Sequence, residues 1–191
     1  MLADTVQKIL DIQLTWKITE GGDITASLEV TKDNEFPDLP RFGVRMFLNQ
    51  RFDEVSYFGM GPQESYRDKH QAASHGLYRS KVCDLHEDYI KPQENGSHYD
   101  CDYVEVTDGQ AGLAVVAEQA FSFNASKYTQ EELERAAHNY ELEESDSTVL
   151  CIDYAMNGIG SNSCGPVVSD AYRFQEESFT FQFTMVPFGR R

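Results

Sequence analysis

Apolar and polar side chains alternate strictly near the start of the chain, with Ile12, Leu14, Trp16 and Ile18 in one run and Ile24, Ala26, Leu28 and Val30 in the next. A period of two puts each set on one face of a strand, whereas a helix with 3.6 residues per turn would scatter them. Between the runs, Glu20-Gly21-Gly22-Asp23 supplies the tolerance of positive φ that a tight hairpin needs, so the runs are expected to pair antiparallel. Trp16, the sole tryptophan, falls on the alternating face and is expected in the core. A third run, Phe42, Val44, Met46 and Leu48, follows Pro37 and Pro40, and shorter β-type runs occupy residues 55–58, 103–106, 113–117, 149–154 and 179–185. Gly, Asn, Asp and Pro clusters separate them, which predicts an all-β antiparallel sandwich. One stretch differs: Thr129 followed three residues later by Glu132 is a capping box, and it predicts one short helix over residues 131–137 that ends near Asn139.

A chain of 191 residues is long enough to bury one core, and neither a repeat nor a linker divides it, so residues 1–191 are expected to form a single domain. The formal charge of −16 repels phosphate backbones and no basic stripe offsets it, which argues against a nucleic-acid partner. Cys83, Cys101, Cys151 and Cys164 are widely spaced and include no C-x-x-C pair, so free thiols are expected. No apolar run is long enough for a membrane span, and Met1 to Leu10 lacks the basic start and apolar stretch of a secretory signal. A cytoplasmic location is the corresponding expectation.

Long turn-rich segments are where sites are worth seeking, and here they are residues 59–100 and 157–166. Glycoside hydrolysis needs two opposed carboxyl groups, but 32 acidic residues make some pair inevitable. Glu64 in Gly-Pro-Gln-Glu-Ser-Tyr and Glu94 in Lys-Pro-Gln-Glu-Asn-Gly stand out by their turn context, which itself favours a loop-anchoring role. His70, His75, His86, His98 and His138 include no H-x-x-x-H spacing that would put two on one helical face for a metal. No G-x-S-x-G elbow is present either. Tyr66, Tyr78, Tyr89 and Tyr99 lie in the middle segment, where a ring could stack on the apolar face of a sugar or simply pack the rim of a sandwich.

Five segments together resemble the small-chain region, or domain 5, of β-galactosidases of glycoside hydrolase family 2. They are residues 39–43 (LPRFG), 59–68 (GMGPQESYRD), 89–96 (YIKPQENG), 121–125 (FSFNA) with Tyr128, and 156–160 (MNGIG) running into Pro166. Their order and spacing match over roughly residues 39–187. The resemblance implies a galactose-mutarotase-like supersandwich forming the C-terminal part of that module. It places the catalytic glutamates on a separate (β/α)₈ barrel, and no alternating βα pattern of that size exists here. No cofactor is implied for this chain; the divalent and monovalent cations of the parent enzyme are assigned to its other domains. The loop after the Met-x-Gly-x-Gly stretch reaches the barrel's site in the family, where a tryptophan stacks on the sugar. Here the matching position is Cys164, which offers no ring face, so the resemblance leaves Asn162, Ser163 and Cys164 as substrate-lining residues and no catalytic residue.

Family modules carry further β-structure ahead of the point where this chain begins, so the N-terminal hairpin is expected to present an exposed edge that invites dimerisation or aggregation. The leading expectation is a non-catalytic module of a β-galactosidase, inactive when isolated, whose partners are the barrel and other domains or large chain of the parent and, once assembled, the galactoside. A free-standing mutarotase-like sugar enzyme and a carbohydrate-binding module are the alternatives.

Overall fold

Nine antiparallel strands carry the fold in a computed structural model that describes residues 8–158 and 168–189. They are β1 (Leu10–Ile18), β2 (Ile24–Lys32), β3 (Arg41–Asn49), β4 (Glu54–Gly61), β5 (Ser74–Lys81), β6 (Ser97–Thr107), β7 (Ala111–Ser126), β8 (Ser147–Met156) and β9 (Ser178–Gly189). The one α-helix among the described residues, α1 (Gln130–Arg135), starts as its capping box predicts, with the Glu132 N–H donating to the Thr129 hydroxyl at 3.1 Å. It ends earlier than expected. The Glu132 carboxylate, which would complete the box, instead accepts from Arg135 and from the Glu143 N–H, and residues 139–141 turn off as a separate 3₁₀ turn.

Strand order is β1-β2-β9-β7-β6-β4-β5, with β8 and then β3 branching from β7. The sixteen-residue β7 makes this possible: Ala111–Val116 pairs with β9, whereas Ser122–Ser126 pairs with β8. The sheet therefore forks along β7 into two layers that share one strand. Alternation then fills the space between them. Ala26, Leu28 and Val30 of β2 stand opposite Phe183, Phe181 and Phe179 of β9, and all six are buried. Phe179 meets Phe42 of β3 edge-on at 5.0 Å and stacks on Tyr154 of β8 at 4.4 Å, so the two branches close on each other through rings.

Trp16 is not in this core. Ile12, Leu14, Trp16 and Ile18 stand opposite Val30, Leu28, Ala26 and Ile24, and so share the core face, yet they are 45, 46, 50 and 70% exposed. The β8–β3 branch covers β2 and β9 but leaves β1 bare. The period assigned the right face, and among the described residues no second layer lies over it, which leaves it unburied.

Candidate functional site

The motif segments, distant in sequence, converge on the end of β8 where residues 157–158 leave the sheet. Arg41, the first residue of β3, donates from Nε and Nη2 to both carboxylate oxygens of Asp153 at 2.8 and 2.7 Å, and from Nη1 to Glu94 at 2.9 Å. Gly43 allows this approach: a Cβ there would overlap the Asp153 carboxylate and the Ile152 carbonyl, at the register shift between Phe42 and Gly43. Burial would lower the Arg41 pKa, but Asp153 and Glu94 more than offset it and hold the guanidinium charged. Burial raises the pKa of both Asp153 and Glu94, and Arg41 opposes that rise in each.

Glu64 is the hub of a second cluster. Its buried carboxylate accepts from Lys69 and the Tyr89 hydroxyl, from the Tyr66 hydroxyl at 3.1 Å and from the Gly96 N–H at 2.9 Å. Burial would raise its pKa, yet Lys69, Tyr89 and Gly96 together bring it below the usual carboxylate value. Segments 59–69 and 89–96 are thereby fastened to each other. Lys91 extends the tie to the end of α1, donating to the Ala136 carbonyl at 2.7 Å. Asn124 of β7 donates to the Asn95 carbonyl at 2.5 Å.

Asn157 fastens the chain just beyond β8. Its N–H donates to the Pro40 carbonyl at 2.9 Å, its side-chain amide to the Leu39 carbonyl at 3.0 Å, and its side-chain oxygen accepts from the Phe174 N–H at 2.5 Å. On the far side Arg173 pairs with Asp38, and Arg67 donates to the Arg173 carbonyl at 3.1 Å. Gly158 has φ +83°, and a Cβ on it would run into the Asp68 carboxylate. Gly158→Ala is expected to cost about 2 kcal/mol of stability, since it adds a clash to a backbone conformation that L residues avoid. Gly109→Ala, at φ +82° with open space around it, is the control and should cost less in the same thermal melts.

Beside this foundation, a cavity of about 290 Å³ opens in the fork of the sheet, lined among others by Arg67, Tyr99, Asp100, Tyr154, Met156 and Glu176. Asp100 has φ 56°, within the shift of register where β6 crosses β7. The four tyrosines of the middle segment separate here. Tyr66 is buried, Tyr78 leans on Tyr57 at 5.4 Å, Tyr89 is held by Glu64 and Lys69, and only Tyr99 faces the cavity. His98, fully buried against Tyr57 and Phe123, has its pKa lowered to about 4 by burial and is a neutral core residue. Cys83, Cys101 and Cys151 are free thiols. Asn162, Ser163 and Cys164 lie outside the described residues. Arg41, Asp153, Asn157 and Asp68 complete the foundation; Arg41, Asp68 and Asn157 stand inside segments singled out in the sequence, but nothing local marks Asp153.

Among the described residues no helix is long and apolar enough to cross a membrane. Comparison with known proteins gives one answer. The family model described as β-galactosidase small chain matches residues 2–185. A β-galactosidase of Actinobacillus pleuropneumoniae is 49% identical over 94% of this chain and 17% of its own length. Those of Staphylococcus xylosus and Kluyveromyces lactis are 38% and 33% identical, over 97% and 85% of this chain and 19% and 16% of their own lengths. The chain thus spans under a fifth of the relatives it matches, and by that near-complete match it belongs to the β-galactosidase small-chain family.

Proposed function

We propose that this chain is a non-catalytic wall of a β-galactosidase, holding the loop that follows Gly158 beside a reaction centre carried by other domains of the enzyme. The complete enzyme would hydrolyse terminal β-D-galactosides such as lactose. The observation that carries this reading is the commitment of the conspicuous carboxylates: Glu64, Glu94 and Asp153 all serve as anchors that tie Arg41 and the segments 59–69 and 89–96 to one another and to β8. A general acid or nucleophile must be free to meet substrate, and carboxylates engaged by Arg41, Lys69, tyrosines and a backbone N–H are fitted to hold chain segments together instead. In this reading Asn162, Ser163 and Cys164 line the substrate, the barrel and other domains are the partners, and cation requirements of the enzyme rest on those domains. The wall positions substrate and excludes water.

Mixing the chain with the barrel-containing remainder of a β-galactosidase and assaying a chromogenic β-galactoside tests the proposal. Turnover is expected only in the mixture; turnover by this chain alone would overturn the reading. The fork cavity favours a second reading, in which the chain holds a sugar by itself, because Tyr99 and Tyr154 offer ring surface next to Arg67, Asp100 and Glu176. Calorimetric titration with galactose separates the two, since the wall reading predicts no saturable heat from the isolated chain.

A further inference from the structure

Two polar atoms deep in the core, the Tyr57 hydroxyl and His98 Nε2, have no hydrogen-bond partner among the described residues. Each of the two residues is 1% exposed, so bulk solvent reaches neither. A buried polar group left unpaired is costly, and native interiors nearly always supply it with a partner, from the protein or from ordered water.

Both atoms border one hollow. The rings of Tyr57 and His98 lie 4.5 Å apart, and both pack on Phe123, at 5.0 and 5.1 Å, so β4, β6 and β7 of this chain enclose them. Gly59 and Gly61 share the core face of β4 with Tyr57, because alternate residues of a strand point the same way. A Cβ on Gly59 would overlap the Cys101 sulfur, and one on Gly61 would overlap the Tyr57 hydroxyl. The two glycines that open the segment 59–68 thus make the room that these polar atoms occupy.

Proton positions follow from the partners. His98 Nδ1 lies 3.3 Å from the Met60 carbonyl, which only accepts, so Nδ1 carries the proton. Burial keeps the ring neutral, with its pKa lowered to about 4, and Nε2 is left with a bare lone pair. Burial, with Cys101 and Tyr78 close by, raises the Tyr57 pKa, so its hydroxyl keeps a proton to donate. One atom needs an acceptor and the other a donor, yet no direct hydrogen bond joins them.

We propose that one water molecule is an integral part of this core, accepting from the Tyr57 hydroxyl and donating to His98 Nε2. A molecule that bridges two side chains in ring contact must be small, and it must accept on one side and donate on the other; water does both. It stands at the inner end of a longer chain of hydrogen bonds. The Met60 carbonyl that holds His98 also accepts from the Ser65 hydroxyl at 3.0 Å, and that hydroxyl accepts from the Tyr99 N–H at 2.9 Å. The buried water thereby ties β4 and β6, through segment 59–68, to the residue that faces the fork cavity.

A crystal structure of the full chain at near-atomic resolution tests this. One solvent peak is expected within about 2.7–3.2 Å of both atoms. Tyr57→Phe removes a single oxygen from a ring that keeps its packing, and the peak should vanish from that variant, since a water on His98 alone has too few partners to stay. In solution, long-range ¹H–¹⁵N correlation should show His98 protonated on Nδ1 and bare on Nε2. The Nε2 resonance should move downfield in Tyr57→Phe, as an accepted hydrogen bond is lost, while Nδ1 stays where it was. A direct Tyr57–His98 hydrogen bond, a proton on Nε2, no peak between the two atoms, or a peak indifferent to Tyr57→Phe would each overturn the proposal.

Discussion

Arg41→Ala is expected to destabilise the folded chain by about 3–5 kcal/mol, the range found when one partner of a buried ion pair is removed and the other stays behind. Two carboxylates are stranded at once, since Arg41 alone spans Asp153, which is buried, and Glu94. For a domain of this size each kcal/mol moves the melting temperature by about 2–4 °C, so the melt should fall by roughly 6–20 °C. The loss should depend on pH with a definite sign. Burial holds the pKa values of Asp153 and Glu94 above their ordinary values even with Arg41 present, and without it they rise further. A carboxyl whose folded pKa is raised favours the fold below its unfolded pKa and loses that contribution as pH climbs through the folded value. The variant should therefore lie closest to the wild type near pH 4 and furthest from it near pH 8. Melts of both proteins across that interval check it, and a gap that widened toward acid would contradict the assignment.

Glu64→Ala should cost about 3 kcal/mol and show the opposite dependence. It removes the acceptor shared by Lys69, Tyr66, Tyr89 and the Gly96 N–H, and leaves the tyrosine and backbone donors in a site that water reaches poorly. Because the Glu64 pKa is depressed below its ordinary 4.5, its contribution is present in full above that value and disappears as pH falls through the folded pKa. The penalty of the substitution should accordingly shrink in acid below pH 4.5. Chemical denaturation of both proteins at pH 7 and pH 3.5 measures it. Glu64→Gln should recover part of the loss, since an amide oxygen still accepts from Gly96 and Tyr66 but carries no charge for Lys69.

Strand placement was legible where side chains alternate, because period-two alternation in β2, β3 and β9 reports the core face directly and in β1 the same side of the sheet. β5 escaped for the same reason. Its partly buried face carries Gly76, Tyr78 and Ser80 while Leu77 points to solvent, so no apolar period exists to read. The Trp16 expectation failed because alternation says which face a side chain takes and nothing about what lies over it. At the site, turn chemistry correctly marked Glu64 and Glu94 as anchors. Their partners were hidden: Arg41 and Asp153 are 112 residues apart, and only the crossing of β3 and β8 brings them together. The fork cavity was equally invisible, since it exists only because residues 113–117 and 121–125 belong to one strand that changes neighbours midway.

The insertion of β9 between β2 and β7 bears on how the polypeptide matures during synthesis. Leu28 of β2 finds its neighbour Phe181 only after about 150 more residues have been translated, which at 5–20 residues per second is roughly 8–30 s. Throughout that interval the β1–β2 hairpin stands without β9, and Leu28 and Val30 lack the Phe181 and Phe179 that cover them in the finished fold. Nascent chains are therefore exposed to chaperones, and to one another on a crowded polysome, through this hairpin until β9 is made.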